Sequence, residues 1–173
     1  MSAGFKVAVV EPTGVAGSEI VRILEERSFP LSELVLLGKS RSAGERLEFR
    51  GENIPVRLLD GEAFAGVKIA FFASGKATSC EYAPIAVSAG AEVIDLSSCY
   101  AQDERVPLVV PEVNAQELRS HRGIIANPRG TTIQLVLPLA AIHRAARITR
   151  IIVSTYQAVS DNGERAMDEL TAQ

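Results

Sequence analysis

A glycine-containing turn close to the amino terminus has the residue types and the spacing of a phosphate-binding loop. Residues 13–17 read Thr-Gly-Val-Ala-Gly, and they connect a short apolar run to a helical pattern. In such a strand–turn–helix unit, Gly14 lets the backbone approach a pyrophosphate, Gly17 allows close helix–strand packing, and the helix N-terminus attracts anions. The spacing predicts a dinucleotide site, and a plain turn that binds nothing is an equally good interpretation.

Glu11 occupies the position at which this pattern normally carries its first glycine, the residue that makes the tight turn. A carboxylate close to the phosphates of a dinucleotide repels them, which lowers the affinity by about 1 kcal/mol if the pair is partly desolvated. We therefore expect dinucleotide binding at this turn to be weakened or lost.

Basic and hydroxyl residues follow the second apolar run, where proteins that bind NAD usually carry an acidic residue. Residues 38–44 read Gly-Lys-Ser-Arg-Ser-Ala-Gly. Because a guanidinium and serine hydroxyls suit a 2′-phosphate, Arg41 and Ser42 favour NADP over NAD. The alternative is a solvated basic loop.

Neither the cysteines nor the histidines form a recognised catalytic or metal-binding pattern. We expect Cys80 and Cys99 to be reduced thiols. Two less favoured alternatives are that Cys99 is a relocated nucleophile and that a helix start acidifies Cys80. The chain's two histidines, His121 and His143, have no companion at metal-ligand spacing, so we expect no metal site.

Apolar runs of strand length alternate with helical patterns along the chain. The predicted strands are Lys6–Val10, Leu34–Leu37, Val67–Phe72, Val93–Asp95, Leu108–Val110 and Ile124–Ala126. The predicted helices are Ser18–Arg27, Ser79–Ala89 and Thr131–Ala145. Continuous apolar strands separated by helices predict an α/β fold with a doubly wound, mostly parallel sheet, a Rossmann-like NAD(P)-binding domain.

The remaining segments predict a loop and the start of a second domain. The charged run from Lys39 to Glu62 is predicted to be a loop with one weak strand near Val56–Leu59. Arg150–Val159 is predicted to be a strand without an obvious partner, followed by a helix at Asn162–Leu170. We therefore expect a dinucleotide-binding domain over residues 1–148 and the beginning of a truncated α+β domain over residues 149–173. The alternative is that this strand pairs at the edge of the first sheet.

The composition excludes several classes of partner. Hydrophobic residues make up 47% of the 173 residues, which is enough to bury a core. The formal net charge is -3 and there is no long basic run, so we expect no nucleic-acid partner. No apolar stretch approaches the roughly 20 residues of a membrane span, and the first residues lack a signal-peptide layout. We expect a cytoplasmic protein.

Five stretches carry a resemblance to one family over nearly the whole chain. They are Leu24–Pro30, Ser40–Gly44, Val106–Asn114, Gly123–Pro128 and Ser154–Ser160. In these stretches the chain resembles aspartate-semialdehyde dehydrogenase. The resemblance implies NADPH-dependent reductive dephosphorylation of aspartyl phosphate to aspartate semialdehyde, on the route to lysine, methionine and threonine. It also implies a homo-oligomer, or a missing carboxyl-terminal half.

The resemblance assigns roles to residues on both sides of the chain's midpoint. It implies that Thr13, Gly14 and Val15 form a pyrophosphate loop and that Arg41 and Ser42 belong to an adenosine-phosphate loop. It implies that Ser74 and Gly75 form a turn beside the cofactor, that Ser160 lies near the nicotinamide and that Gln157 contacts the substrate.

The chain departs from the family at functional positions. The family's nucleophilic cysteine, which forms a thioester, corresponds to Gly130, and its phosphate-gripping arginine corresponds to Ala101. Its acid/base histidine and its substrate-carboxylate arginine belong to a later segment. We interpret Thr131 and Thr132 as N-cap residues of the following helix. The departures predict an inactive protein, with a non-enzymatic NADP-binding or protein-interaction paralogue as the alternative.

Overall fold

The computed structural model describes residues 4–173 and divides into two compact units after Arg129. The first unit contains, in chain order, β1 (Phe5–Val10), α1 (Val15–Glu26), β2 (Leu31–Gly38), β3 (Arg46–Phe49), β4 (Glu52–Leu58), β5 (Ile69–Phe72), α2 (Lys76–Ser88), β6 (Glu92–Asp95), α3 (Pro111–Asn114) and β7 (Ile124–Ala126). The second unit contains α4 (Gly130–Ala146), a 3₁₀ turn at Val159–Asn162 and α5 (Glu164–Ala172). The domain boundary predicted at residue 148 stays a prediction.

The strands of the first unit form one sheet. Within the described residues it has seven strands in the order β3-β4-β2-β1-β5-β6-β7, and all pairs are parallel except β3–β4. This arrangement confirms the predicted doubly wound, mostly parallel α/β fold.

The central position of β1 in the sheet explains why its residues are continuously apolar. Val7 to Val10 are fully buried, and alternate side chains enter two separate core clusters on the two faces of the sheet. Val21 and Leu24 of α1 belong to one cluster, and Ala83 and Ala86 of α2 belong to the other. Because helices cover both faces, a strand in the middle of the sheet has no polar side.

The segment predicted to be a loop contains a β-hairpin. β3 and β4 pair antiparallel, and the two residues between them, Arg50 and Gly51, have φ values of 52° and 77°. Two positive φ values in a two-residue connection produce a turn whose twist matches the flanking strands. The prediction of a single weak strand was wrong because Arg-Gly is not the usual sequence for this turn and charged residues occupy half of β3.

Two other predicted strands are corrected. Residues 150–158 form no strand ladder in the second unit as described, and Ile152 and Tyr156 are 82% and 100% exposed. A β-branched segment forms a strand only when its backbone groups find a neighbouring strand to pair with. Leu108–Val110 is reduced to one parallel bridge from Leu108 to Ala126, because α3 begins at Pro111.

Among residues 4–173 no helix is both long and apolar enough to cross a membrane.

Candidate functional site

The candidate site of the first unit lies where the chain changes direction across the sheet. β1 and β5 are adjacent, and their last paired residues are Val10 and Phe72. From β1 the chain continues to β2 on one side, whereas from β5 it continues to β6 on the other. Connections that diverge from two neighbouring carboxyl ends leave a crevice there, which is where open α/β sheets bind ligands.

Gly14 and Gly75 are the N-cap residues of α1 and α2, the two helices that start at this crevice. Their φ values of -73° and -69° are open to any residue. A Cβ built on Gly14 would come no closer than 3.7 Å to another atom of residues 4–173, and one on Gly75 would meet none within 4 Å. Neither the backbone conformation nor the packing therefore requires glycine at these positions.

The same two glycines leave the helix starts open to an anion. In the described part of the chain, neither N-cap makes a side-chain hydrogen bond to its helix. Serine, threonine, aspartate or asparagine would satisfy the first backbone N–H groups better. Glycine keeps these donors and the space above them available, which fits the pyrophosphate of a dinucleotide.

Gly17 has a different role from Gly14. A Cβ at Gly17 would lie 2.2 Å from the carbonyl oxygen of Glu11 and 2.7 Å from the Cα of Pro12. Gly17 therefore allows α1 to lie close to the turn that follows β1, whereas the sequence predicted close packing of the helix on the strand itself. Thr13 and Val15 are exposed on the same turn.

Glu11 adopts a left-handed conformation and reaches across to the neighbouring strand. Its φ is 59°, a value that favours glycine. Its backbone N–H donates to the Leu37 carbonyl at 2.7 Å, and its Oε1 accepts from the backbone N–H of Lys39 at 3.3 Å. The carboxylate consequently lies at the carboxyl end of β2.

The loop after β2 places its two predicted phosphate contacts differently. Arg41 is exposed, whereas Ser42 is only 5% exposed. The Ser42 hydroxyl donates to the Lys39 carbonyl at 3.4 Å, and a Cβ on Gly38 would come within 2.3 Å of the Ser42 Oγ. Ser42 thus closes a tight turn over Gly38, and both phosphate contacts stay predictions.

Ser74, at the end of β5, is also turned inward. Its Oγ lies 3.0 Å from the Oγ of Ser79, and the two hydroxyls share a hydrogen bond. The Tyr100 hydroxyl donates to the Ser79 carbonyl at 3.5 Å. Burial, followed by the negative charges of Asp95 and Asp103, raises the pKa of Tyr100 above its usual value. These contacts hold the turn at Ser74-Gly75 against α2.

Cys80 and Cys99 are joined in a disulfide, which corrects the prediction of two reduced thiols. Cys80 lies in α2 and Cys99 in the loop after β6, and their Cα atoms are 5.7 Å apart. Adjacent placement of β5 and β6 brings the start of α2 to this loop, a proximity that a separation of 19 residues does not reveal. In the disulfide neither sulfur is available as a nucleophile.

Asp95 organises the loop after β6, a role that sequence reasoning missed. It is fully buried at the end of β6 and accepts hydrogen bonds from the Ser97 backbone N–H at 3.2 Å and from its hydroxyl at 2.9 Å. The Ser97 Oγ in turn accepts from the Cys99 backbone N–H at 3.0 Å. The available signal was an acidic residue that ends an apolar run and is followed, two and three residues later, by serines.

The second unit contains the position that the resemblance assigns to the nucleophile. Gly130 is the first residue of α4, and a Cβ built there meets no described atom within 4 Å. Gln157 Nε2 donates to the Thr131 hydroxyl oxygen at 3.1 Å, so Gln157 lies beside the start of α4. Because α4 begins at Gly130, Thr131 and Thr132 lie inside its first turn, and their interpretation as N-cap residues was wrong.

The structure therefore groups the predicted residues into two sets. The carboxyl ends of β1, β2 and β5 carry Glu11, the loop of residues 13–17, Arg41, Ser42, Ser74 and Gly75. In the second unit, Gly130 and Gln157 lie at the start of α4, and Ser160 lies in the 3₁₀ turn.

Comparison with known proteins identifies similar sequences and structures. Residues 6–121 match the family described as "Semialdehyde dehydrogenase, NAD binding domain". Aspartate-semialdehyde dehydrogenase of Bacillus subtilis is 47% identical over 173 residues, which cover 100% of this chain and 50% of that protein. The corresponding protein of Aquifex aeolicus is 46% identical, covering 98% of this chain and 51% of that protein.

A solved structure extends the similarity to three dimensions. Aspartate semialdehyde dehydrogenase II from Vibrio cholerae, complexed with ASA, has a TM-score of 0.89 and 41% identity to this chain. The match covers 99% of this chain and 52% of that one. These identities and the TM-score confirm the resemblance, and the chain spans about half the length of the relatives that it matches.

Proposed function

We propose that this chain, which belongs to the semialdehyde dehydrogenase family, binds NADP(H) through its first unit and does not form the family's thioester intermediate. The family match and the open N-caps Gly14 and Gly75 support dinucleotide binding. Arg41 supports the phosphorylated cofactor, and Glu11 lowers the affinity for it.

The observation that carries the proposed inactivity is Gly130 at the first position of α4. The resemblance implies a cysteine there, whose thiolate would be stabilised by the helix N-terminus and would attack an acyl phosphate. Glycine has no sulfur, and both cysteines of this chain belong to the first unit, where they are joined to each other.

The resemblance also assigns a role in the family reaction to Gln157, whereas Ala101 departs from the family at the phosphate-binding position. The substrate class implied by the resemblance is aspartyl phosphate. Gln157 would orient this substrate beside the start of α4, because the side-chain amide of Gln157 donates a hydrogen bond to the Thr131 hydroxyl there. Ala101 has no charge with which to grip a phosphate, so we expect acyl phosphates to bind weakly.

The test of inactivity uses intact-mass spectrometry of the chain after incubation with aspartyl phosphate. The wild-type chain should remain unmodified, and Gly130→Cys should gain one acyl group, because the open space at Gly130 admits a side chain. Thr132→Cys is the matched control, since it places a thiol in the same helical turn at another angle. A covalent acyl adduct on the wild-type chain would contradict the proposal.

Cofactor binding is tested separately by following the melting temperature during an NADPH titration. A ligand present at 100 times its dissociation constant adds about 2.7 kcal/mol of stability. No shift at any concentration would remove the NADP-binding part of the proposal.

A protein-interaction role is the second candidate, and the apolar exposure of the second unit favours it. Ile151, Ile152, Val153 and Tyr156 are all exposed in a segment that forms no strand ladder within the described residues. We propose that this segment is covered in a homo-oligomer or by a carboxyl-terminal half. Light scattering should detect self-association of the wild-type chain, and the substitution Ile152→Ser should reduce this self-association. A strictly monomeric wild-type chain would contradict the homo-oligomer.

A further inference from the structure

We infer that Glu11 is a cofactor-selecting residue whose carboxylate acts against the 2′-phosphate of NADP(H) and spares NAD(H). The inference rests on the proposed function, because it takes dinucleotide binding at the carboxyl ends of β1, β2 and β5 as given. It assigns the loss of affinity to one phosphate of the cofactor and not to the pyrophosphate.

The Glu11 side chain is directed toward the carboxyl end of β2. Glu11 follows β1, in the turn that leads to α1, but its Oε1 accepts a hydrogen bond from the Lys39 backbone N–H at 3.3 Å. Its own N–H is bound to the Leu37 carbonyl of β2 at 2.7 Å. The backbone of Glu11 is thus held against β2, and its charge lies at the carboxyl end of that strand.

The end of the second strand is the part of such a domain that binds the adenosine ribose. In doubly wound dinucleotide-binding domains the pyrophosphate lies at the start of the first helix, and the adenosine ribose lies over the end of the second strand. NAD and NADP share the pyrophosphate and differ only at the 2′ position of this ribose. A carboxylate at the end of β2 can accept a hydrogen bond from a 2′-hydroxyl, whereas it repels a 2′-phosphate.

The loop after β2 carries two positively charged side chains. Lys39 and Arg41 are exposed in the loop after β2, and they attract a 2′-phosphate. The hydroxyl of Ser42 is bound to the Lys39 carbonyl, so the attraction comes mainly from the two cations. The Glu11 carboxylate places one negative charge at the start of this loop, beside the Lys39 backbone N–H, and offsets part of this attraction.

The experiment measures dissociation constants for NADPH and for NADH, by nucleotide fluorescence and by thermal shift, in the wild-type chain and in Glu11→Gln. Glutamine keeps the side-chain length and an oxygen for the Lys39 N–H, and it removes the charge. We expect NADPH to bind about tenfold more tightly, equivalent to about 1.4 kcal/mol, and NADH to change by less than about twofold. The selective effect should shrink with added salt.

Glu48→Gln is the matched control, because Glu48 is an exposed carboxylate on β3, the edge strand of the sheet. It removes the same charge from the first unit and should change neither constant. Equal tightening of NADPH and NADH in Glu11→Gln would overturn the inference and leave the proposed function intact. If no variant binds either nucleotide, the proposed function fails and the inference fails with it.

Discussion

Cys80 and Cys99 tie the first turns of α2 to the loop after β6, with 5.7 Å between their Cα atoms. A cross-link between residues that are 19 positions apart in the sequence restricts the unfolded chain and contributes about 3 kcal/mol to stability. We expect a thiol reductant to lower the urea midpoint of the wild-type chain accordingly. The double variant Cys80→Ser/Cys99→Ser should have the lower urea midpoint without reductant, and adding reductant should not change it. An unchanged wild-type midpoint after complete reduction would contradict this expectation.

Gly17→Ala should destabilise the fold. The new Cβ would lie 2.2 Å from the Glu11 carbonyl oxygen and 2.7 Å from the Pro12 Cα, both backbone atoms that cannot move aside like a side chain. Overpacking of this kind costs about 1–3 kcal/mol, which urea unfolding would measure. Gly61→Ala is the control, because its Cβ would come no closer than 3.7 Å to the side chain of Ile85, which is ordinary van der Waals contact. Equal free energies of unfolding for the two variants would show that α1 shifts enough to relieve the contact.

Gly14→Ser should separate stability from cofactor binding. Serine at this N-cap can accept a hydrogen bond from the first turn of α1, which adds a few tenths of a kcal/mol to the free energy of unfolding. The same hydroxyl occupies the donors and the space that we assign to the pyrophosphate. NADPH affinity should therefore fall while the melting temperature holds or rises. Unchanged affinity would remove Gly14 from the cofactor site.

Glu11→Gly should stabilise the free protein. At a φ of 59° a side chain is strained, at a cost of roughly 1–2 kcal/mol that glycine avoids. Part of this gain is offset by the larger conformational freedom of glycine in the unfolded chain, so we expect a net increase of about 0.5–1 kcal/mol. Glu11→Gln keeps the strained backbone and should lack this gain. Equal unfolding free energies for the two variants would contradict the strain.

Asp103 should titrate at an unusually low pH. Hydrogen bonds from the Arg105 guanidinium, and then from its backbone N–H, lower the pKa of Asp103 from 3.8 to about 2. A carboxylate whose folded pKa is depressed contributes stability above its unfolded pKa and loses it as the pH falls toward 2. NMR titration of the carboxyl carbon should show this value, and Arg105→Ala should return it toward 3.8. An ordinary pKa in the wild-type chain would show that the pair does not persist in solution.

The carboxylate of Glu11 illustrates how far local sequence reasoning reaches at the candidate site. The missing glycine was visible in the sequence, and so was the repulsion that a carboxylate exerts on phosphates. The direction of the side chain was not visible, because it depends on the parallel pairing of β1 with β2 that brings Lys39 beside Glu11. The sequence therefore predicted a weakened site, whereas the direction of the Glu11 side chain in the fold is the basis for our proposal that the 2′-phosphate is the group affected.

The amino-acid sequence by itself determined the fold class, the order of the principal elements, the glycine turn and the family. These features depend on short-range patterns: apolar runs buried on both sides, helical periodicity and turn residues in a fixed order. Tertiary structure decided the Cys80–Cys99 disulfide, the buried position of Asp95, the hairpin after β2 and the absence of a strand ladder at residues 150–158 within the described chain. Each of these depends on which distant segment becomes a neighbour, because backbone and side-chain groups are satisfied by partners that sequence spacing does not specify.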